Sequence, residues 1–153
     1  MYSLKVDGEK IAKARVEEVN ASFKELSEVC RNIKGMRVLD ALDFLDAVIK
    51  GEKPIRFYRH NKKMGHRKEL NGQKGRYPKK AAKIVKKLLF SALSNARMKN
   101  LGDDLLVILH AAANKKRRYA RLQPKGLRRR HDYELSRVEI ILKEVETNGH
   151  EKH

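Results

Sequence analysis

The sequence predicts an α+β domain in which three amphipathic helices are followed by two strands joined as one long, protruding β-hairpin. Three observations carry this. Apolar residues recur at helical spacing in three successive segments between Ser22 and Asn100, and from Leu105 the period shortens to two. Between the two strand-like segments lies "KKRRYARLQPKGLRRR" at 115–130, with nine Lys or Arg and no acid. At 153 residues the chain is long enough for one domain with a real core and too short for two. A single domain over 1–153 is therefore expected.

The first helix starts at Ser22, with Glu25 three residues on as in a capping box, and carries Phe23, Leu26, Val29, Cys30 and Ile33 on one face. Gly35 stops it. In "MRVLDALDFLDAVIKG", Val38, Ala41, Leu42, Leu45, Val48 and Ile49 form one stripe, Asp40, Asp43 and Asp46 lie elsewhere, and Gly51 ends the second helix. Residues 52–78 contain Pro54, Gly65, Gly72 and Gly75 without a sustained period and read as an irregular basic insert. The third helix begins at Pro78 as an N1 proline and runs to about Asn100, with Ala81, Val85, Leu88, Leu89, Ala92 and Ala96 along one side.

Beyond the third helix, Leu105, Val107 and Leu109 alternate with Leu106, Ile108 and His110, and Val138, Ile140 and Leu142 alternate with Glu139, Ile141 and Lys143. Pairing about the turn-like "QPKG" puts the midpoint near Lys125 and Ile108 across from Leu142. Residues 114–137 then project beyond the paired apolar parts. Such arms have almost no apolar surface to bury, so they are expected to be ordered by a partner. Residues 146–153 read as a flexible tail.

Charge is segregated. The chain has 37 Lys and Arg against 19 Asp and Glu, a formal net charge of +18. Residues 50–80 hold 12 cations against Glu52 and Glu69, and 115–130 hold nine against none, whereas the remainder has 16 basic and 17 acidic residues. Compaction works against like charge, so the two segments call for a polyanion. Arg outnumbers Lys seven to three over 115–137, and its planar fork suits phosphates and guanine edges in a fixed, desolvated site. Lys79, Lys80, Lys83, Lys86 and Lys87 crowd the N-terminal turns of the third helix, where the helix dipole disfavours cations by about 0.3–1 kcal/mol each. A bound phosphate reverses that sign; the bland alternative is a solvated lysine face.

Interleaved aromatics narrow the polyanion to RNA, because rings stack on unpaired bases while neighbouring cations neutralise phosphates. Tyr119 reads as RNA-facing. Phe57 and Tyr77 have two readings, RNA contact or core anchor for the insert, and Tyr58 punctuates the same stretch. The predicted RNA-binding residues are Arg56, Arg59, Lys62, Lys63, His66, Arg67, Lys68, Lys74, Arg76, Lys79 and Lys80 in the first segment. In the second they are Lys115, Lys116, Arg117, Arg118, Tyr119, Arg121, Lys125, Arg128, Arg129 and Arg130.

Other chemistries find little purchase. Cys30 is alone, so no disulfide framework or zinc knuckle can form within the chain. His60 and His66 lack the paired ligand spacing of a zinc site. Asp103 and Asp104 read as a turn pair, and Ser94, His110 and Asp132 show no nucleophile signature. There is no "GxxxxGK" phosphate cradle. Neither an enzyme, nor a cofactor, nor a metal is expected. The N-terminus lacks the apolar stretch of a signal peptide, and no apolar run spans a bilayer, so a soluble, cytoplasmic protein is expected. The basic segments lack the apolar face of an interfacial helix, so no membrane partner is expected.

Several stretches resemble the universal large-subunit ribosomal protein family numbered twenty-two, in its archaeal and eukaryotic form, known as seventeen in older eukaryotic naming. They are "IAKAR", "SFKELSEVCRNIKGM", "GHRK", "GRYPKKAAK", "LLFSALSNA", "LLVILHAAANKKRR", Pro124 with its arginines, and "RVEIILKEV". They cover most of Ile11 to Val145 in the family's order. The resemblance implies three helices packed on a small three-stranded antiparallel sheet, with the hairpin reaching through large-subunit rRNA and helping to line the nascent-peptide tunnel. It also implies a role in subunit assembly, with rRNA, neighbouring large-subunit proteins and the nascent chain as partners and no self-association. The tip departs from the family pattern: "QPKGLRRRHDYELSR" is bulkier, slightly shorter and contains Asp132 and Glu134, which either pair with arginines across the hairpin or face solvent. The rival reading is a free-standing nucleic-acid chaperone or DNA/RNA-coating protein.

Overall fold

A computed structural model describes residues 2–6 and 8–145. The expected tail, 146–153, lies outside the described residues. Strand β1 (Ile11–Val19) leads into helix α1 (Phe23–Ile33) and helix α2 (Val38–Lys50). Three short strands follow, β2 (Ile55–Arg56), β3 (His66–Arg67) and β4 (Gln73–Arg76), then helix α3 (Lys79–Met98) and the long strands β5 (Leu106–Tyr119) and β6 (Tyr133–Glu144). The main antiparallel sheet has the order β1-β6-β5. The fold is α+β, as the sequence predicts, with three helices against a three-stranded sheet.

Each helix buries the stripe its sequence advertises. Leu26, Val29, Cys30 and Ile33 of α1, Val38, Ala41, Leu45 and Val48 of α2, and Ala81, Val85, Leu89, Ala92 and Ala96 of α3 meet Ile108, Val138, Ile140 and Leu142 of the sheet in one core. Each fully buried Leu, Ile or Val contributes about 1.5–3 kcal/mol relative to exposure. The helix ends differ in detail from the expectation. Ser22 occupies the N-cap of α1, yet its side chain makes no capping bond, and Pro78 is the N-cap of α3 rather than its first helical residue. Gly51 ends α2 in the left-handed conformation at φ +94°, which only glycine adopts without strain.

Two features escape the sequence pattern. Strand β1 shows no clean alternation, because Ile11, Ala12 and Ala14 are all buried and a bulge separates Val16 from Val19. The insert contains a second small sheet of order β2-β4-β3, where the sequence shows no period. Strands of two to four residues are too short to display one. Gly75 of β4 packs so closely on β2 that a Cβ there would lie 2.7 Å from the Ile55 carbonyl oxygen.

The insert is tied to the body by one buried carboxylate. Glu28 of α1 accepts hydrogen bonds from the backbone N–H groups of Tyr58 (2.9 Å), Arg59 (3.0 Å) and His60 (3.1 Å). Beside it, Asn32 Nδ2 donates to the Arg56 carbonyl at 2.9 Å, and Ile55 and Phe57 enter the core. Of the two readings for Phe57, the core anchor is the one observed.

Ile108 pairs with Leu142 as the midpoint argument requires. Bulges at Ile108/His110 and Lys115/Arg117 then shift the register, so Tyr119 faces Tyr133 and Leu122 bridges Arg130. The first bulge also switches the buried phase of β5 from Leu106 and Ile108 to Ala111 and Ala113.

Candidate nucleic-acid interface

The hairpin sorts its cations. At its root, each of several cations meets an acid. Arg118 Nε lies 2.7 Å from Asp132 and 3.5 Å from Glu134. Lys115 Nζ lies 3.1 Å from Glu134, Arg130 pairs with Asp132 at 3.0 Å, and Lys116 contacts Glu17 and Glu18 of β1. Of the two readings for Asp132 and Glu134, cross-strand pairing is the one observed, and the Asp132 side chain is only 7% exposed. The hydrogen bond from Arg130 holds the Asp132 carboxyl below its ordinary range, with the charge of Arg118 acting in the same direction. Lys116 is raised and Glu17 lowered, chiefly by the hydrogen bond between them. The arms therefore carry their own ionic ladder, which qualifies the expectation that only a partner can order them.

Toward the tip the pairing stops. Arg121, Lys125, Arg128 and Arg129 are exposed and form no ion pair among the described residues. Lys125 and Gly126 both take positive φ, which turns the chain back, and the Lys125 side chain is exposed. Tyr119 is 47% exposed and tilted against Tyr133 at 6.2 Å between ring centroids. Leu122 and Leu127 of the tip are exposed as well.

The insert divides in a similar way. Arg67 donates through Nε to the Gly75 carbonyl at 3.1 Å and lies over the Tyr77 ring at 5.4 Å, so it helps hold the small sheet together. His66 Nδ1 contacts the Gly72 carbonyl. Tyr77 is half-buried under Arg67 and directs its hydroxyl at Glu69. Arg59, Lys62, Lys63, Lys68 and Arg76 are exposed, while Arg56 and Lys74 are half-buried. Tyr58 is 44% exposed, with the Arg56 guanidinium 4.4 Å and the Arg31 guanidinium 5.2 Å from its ring centroid.

Helix α3 disposes its N-terminal lysines individually. Lys79 donates to the Lys50 carbonyl at 3.3 Å, at the C-terminus of α2, and Lys86 pairs with Asp46 at 2.5 Å. Both offset the unfavourable dipole. Lys80 instead lines a notch of about 680 Å³ where the hairpin leaves the body, together with Lys24, Lys115 and Arg118. Lys24, Arg31 and Lys34 lie in stretches of ordinary charge balance that the sequence does not mark, and only the fold brings each beside a basic segment. Among the described residues no group of three or more His, Cys, Asp or Glu could hold a metal ion. None of their helices is long and apolar enough to cross a membrane.

The sequence of this α+β body and its cationic hairpin matches the family described as "Ribosomal protein L22p/L17e" over residues 14–143. The chain belongs to that family. It is 38% identical over 146 residues to "Large ribosomal subunit protein uL22" of Methanocaldococcus jannaschii, covering 94% of each chain. The protein of the same name from Hyperthermus butylicus is 39% identical over 151 residues, covering 95% of this chain and 97% of that one. That from Haloarcula marismortui is 36% identical over 148 residues, covering 95% and 96%. Within the L22p/L17e framework, the matched residues take in the whole insert, α3 and both hairpin arms.

Proposed function

We propose that this protein is a structural constituent of the large ribosomal subunit in the cytoplasm, with no catalytic role. It binds large-subunit rRNA through the insert at 52–78 and the distal hairpin at 114–137, supports subunit assembly, and helps line the nascent-polypeptide exit tunnel with the hairpin tip. Its partners are rRNA, neighbouring large-subunit proteins and the nascent chain. The observation that carries the reading is the division of the hairpin into an acid-paired root and a tip where Arg121, Lys125, Arg128 and Arg129 have no acidic partner among the described residues. A rigid root aims the arm; unpaired arginines at the end neutralise phosphates and wedge between RNA helices.

Counterion release supplies the free energy, so affinity should fall steeply with salt, each neutralised phosphate contributing about −0.7 to −0.9 to the log–log slope. Ultraviolet crosslinking in native cells, with sequencing of the attached RNA, tests the reading. Crosslinks from both 50–80 and 115–130 are expected on large-subunit rRNA. Crosslinks scattered over many transcripts or DNA would replace it with a general nucleic-acid chaperone, and an affinity insensitive to salt would refute phosphate neutralisation as the mechanism.

A further inference from the structure

Helix α1 and the edge strand β5 enclose a groove of about 430 Å³ that belongs to neither basic segment taken alone. Its floor is Ala111–Ala113, and its rim carries Arg31 and Lys34 from α1, Arg59 from the insert and His110 from β5. Ser27 and Arg31 stand at i and i+4 of α1 and share one face, and Lys34 follows as the C-cap of that helix. The edge of β5 at Ile108 is occupied by backbone hydrogen bonds with Gly35 and Met36, 2.9 Å each. Beyond Ile108 the alanines offer short side chains, which lets a ligand backbone approach the strand closely.

Cations in this position have a plain structural use: they suit the C-terminal end of α1, and they protect a sheet edge. The charge pattern of this protein argues for more. Some cations elsewhere meet carboxylates, as in Lys86 with Asp46, Arg97 with Asp103 and Lys116 with Glu17, while others, such as Lys24, Lys83 and Lys87, stand singly at the surface among the described residues. Arg31, Lys34 and Arg59 meet none among the described residues, and no acid lines the groove. The nearby carboxylate of Glu28 is buried and already accepts three backbone N–H groups. His110 turns to Glu139 at 3.3 Å. Tyr58, held at one end of this arrangement by Arg31, exposes its ring beside the cations. Clustered cations, a shallow small-residue floor and an exposed ring together suit a sugar–phosphate backbone with one unpaired base available for stacking.

We infer that this groove seats a stretch of rRNA backbone, a contact that continues from Arg59 of the insert onto Arg31 and Lys34 of the body. The inference rests on the rRNA reading above and extends it to Arg31 and Lys34. Cys30 makes a direct test simple, since burial pushes its thiol up to about 12 and leaves it inert to thiol reagents. In the full chain, Ser27→Cys then provides a single reactive thiol in the groove for a tethered iron–EDTA cleavage probe, and Lys125→Cys provides one at the hairpin tip.

With large-subunit rRNA bound, the Ser27 tether should cut one confined stretch, distinct from that cut by the tip tether. If the tip tether cuts and the Ser27 tether leaves the RNA intact, as it would were an acidic protein segment to fill the groove, the inference is overturned while the rRNA reading stands. If neither cuts, both fail. Independently, Arg31→Ala/Lys34→Ala should flatten the log–log salt slope by about 1.4–1.8, two phosphates at about 0.7–0.9 each. An unchanged slope with the wild-type thermal melt overturns the groove contact.

Discussion

Replacing Glu28 should release the basic insert from the body without dismantling the fold. The carboxylate is 1% exposed and accepts three backbone hydrogen bonds, from Tyr58, Arg59 and His60. A hydrogen bond to a charged group contributes roughly 1.5–3 kcal/mol. The three donor residues are exposed or half-buried, so water can replace part of what is lost and the lower end of that range applies. Glu28→Ala should therefore cost about 3–5 kcal/mol. Glu28→Gln keeps one acceptor oxygen and turns an N–H donor toward a backbone donor, at a cost of roughly 1.5–3 kcal/mol. For a domain of this size each kcal/mol lowers Tm by about 2–4 °C, which predicts a drop of roughly 6–20 °C for the alanine variant.

Thermal unfolding measures the total, and amide hydrogen exchange localises it. Exchange at residues 58–60 should accelerate far more than in the core of α3. In the RNA complex, crosslinks from 50–80 should weaken while those from 115–130 persist. If Glu28→Ala melts within a degree or two of wild type and the amides at 58–60 keep their protection, the carboxylate is not what holds the insert.

Two further substitutions test other joints. Gly75→Ala places a Cβ 2.7 Å from the Ile55 carbonyl oxygen and 2.5 Å from Leu70 Cδ1; overpacking costs about 1–3 kcal/mol, and loss of hydrogen-exchange protection at Arg56 and Gly75 should report the parting of β2 from β4. Glu139 in β6 is fully buried, and burial alone would raise its carboxyl. Hydrogen bonds from Ser3 and His110 and the charge of Arg137 overcome that and leave it below its ordinary 4.5. A depressed carboxyl stabilises above the unfolded value and loses that contribution as pH falls through the folded one. Glu139→Gln should thus melt below wild type at pH 7, with the gap closing under pH 4.5; a gap independent of pH would refute the assignment.

The sequence by itself determined the elements that repeat. Helices of 11 to 20 residues run long enough for a 3.6-residue period to show in Leu26, Val29 and Ile33 or in Val85, Leu89 and Ala92, and the core stripes follow. Symmetry about "QPKG" likewise sufficed to pair Ile108 with Leu142, and charge segregation marked both basic segments. Tertiary structure decided whatever depends on residues distant in the chain. The strands of the insert are too short for a period, and the loop after β2 is held to the body by Glu28, some thirty positions earlier, which collects the backbone N–H groups of Tyr58, Arg59 and His60. The bulge after Ile108 changes which β5 side chains are buried, and no local pattern encodes that. Which arginines are spent within the hairpin and which remain for a partner depended on Asp132 and Glu134 coming opposite Arg118 and Lys115. An alternating count of charges along the chain cannot show this, because Coulomb pairing acts across the strands, where separation in space is set by register rather than by sequence.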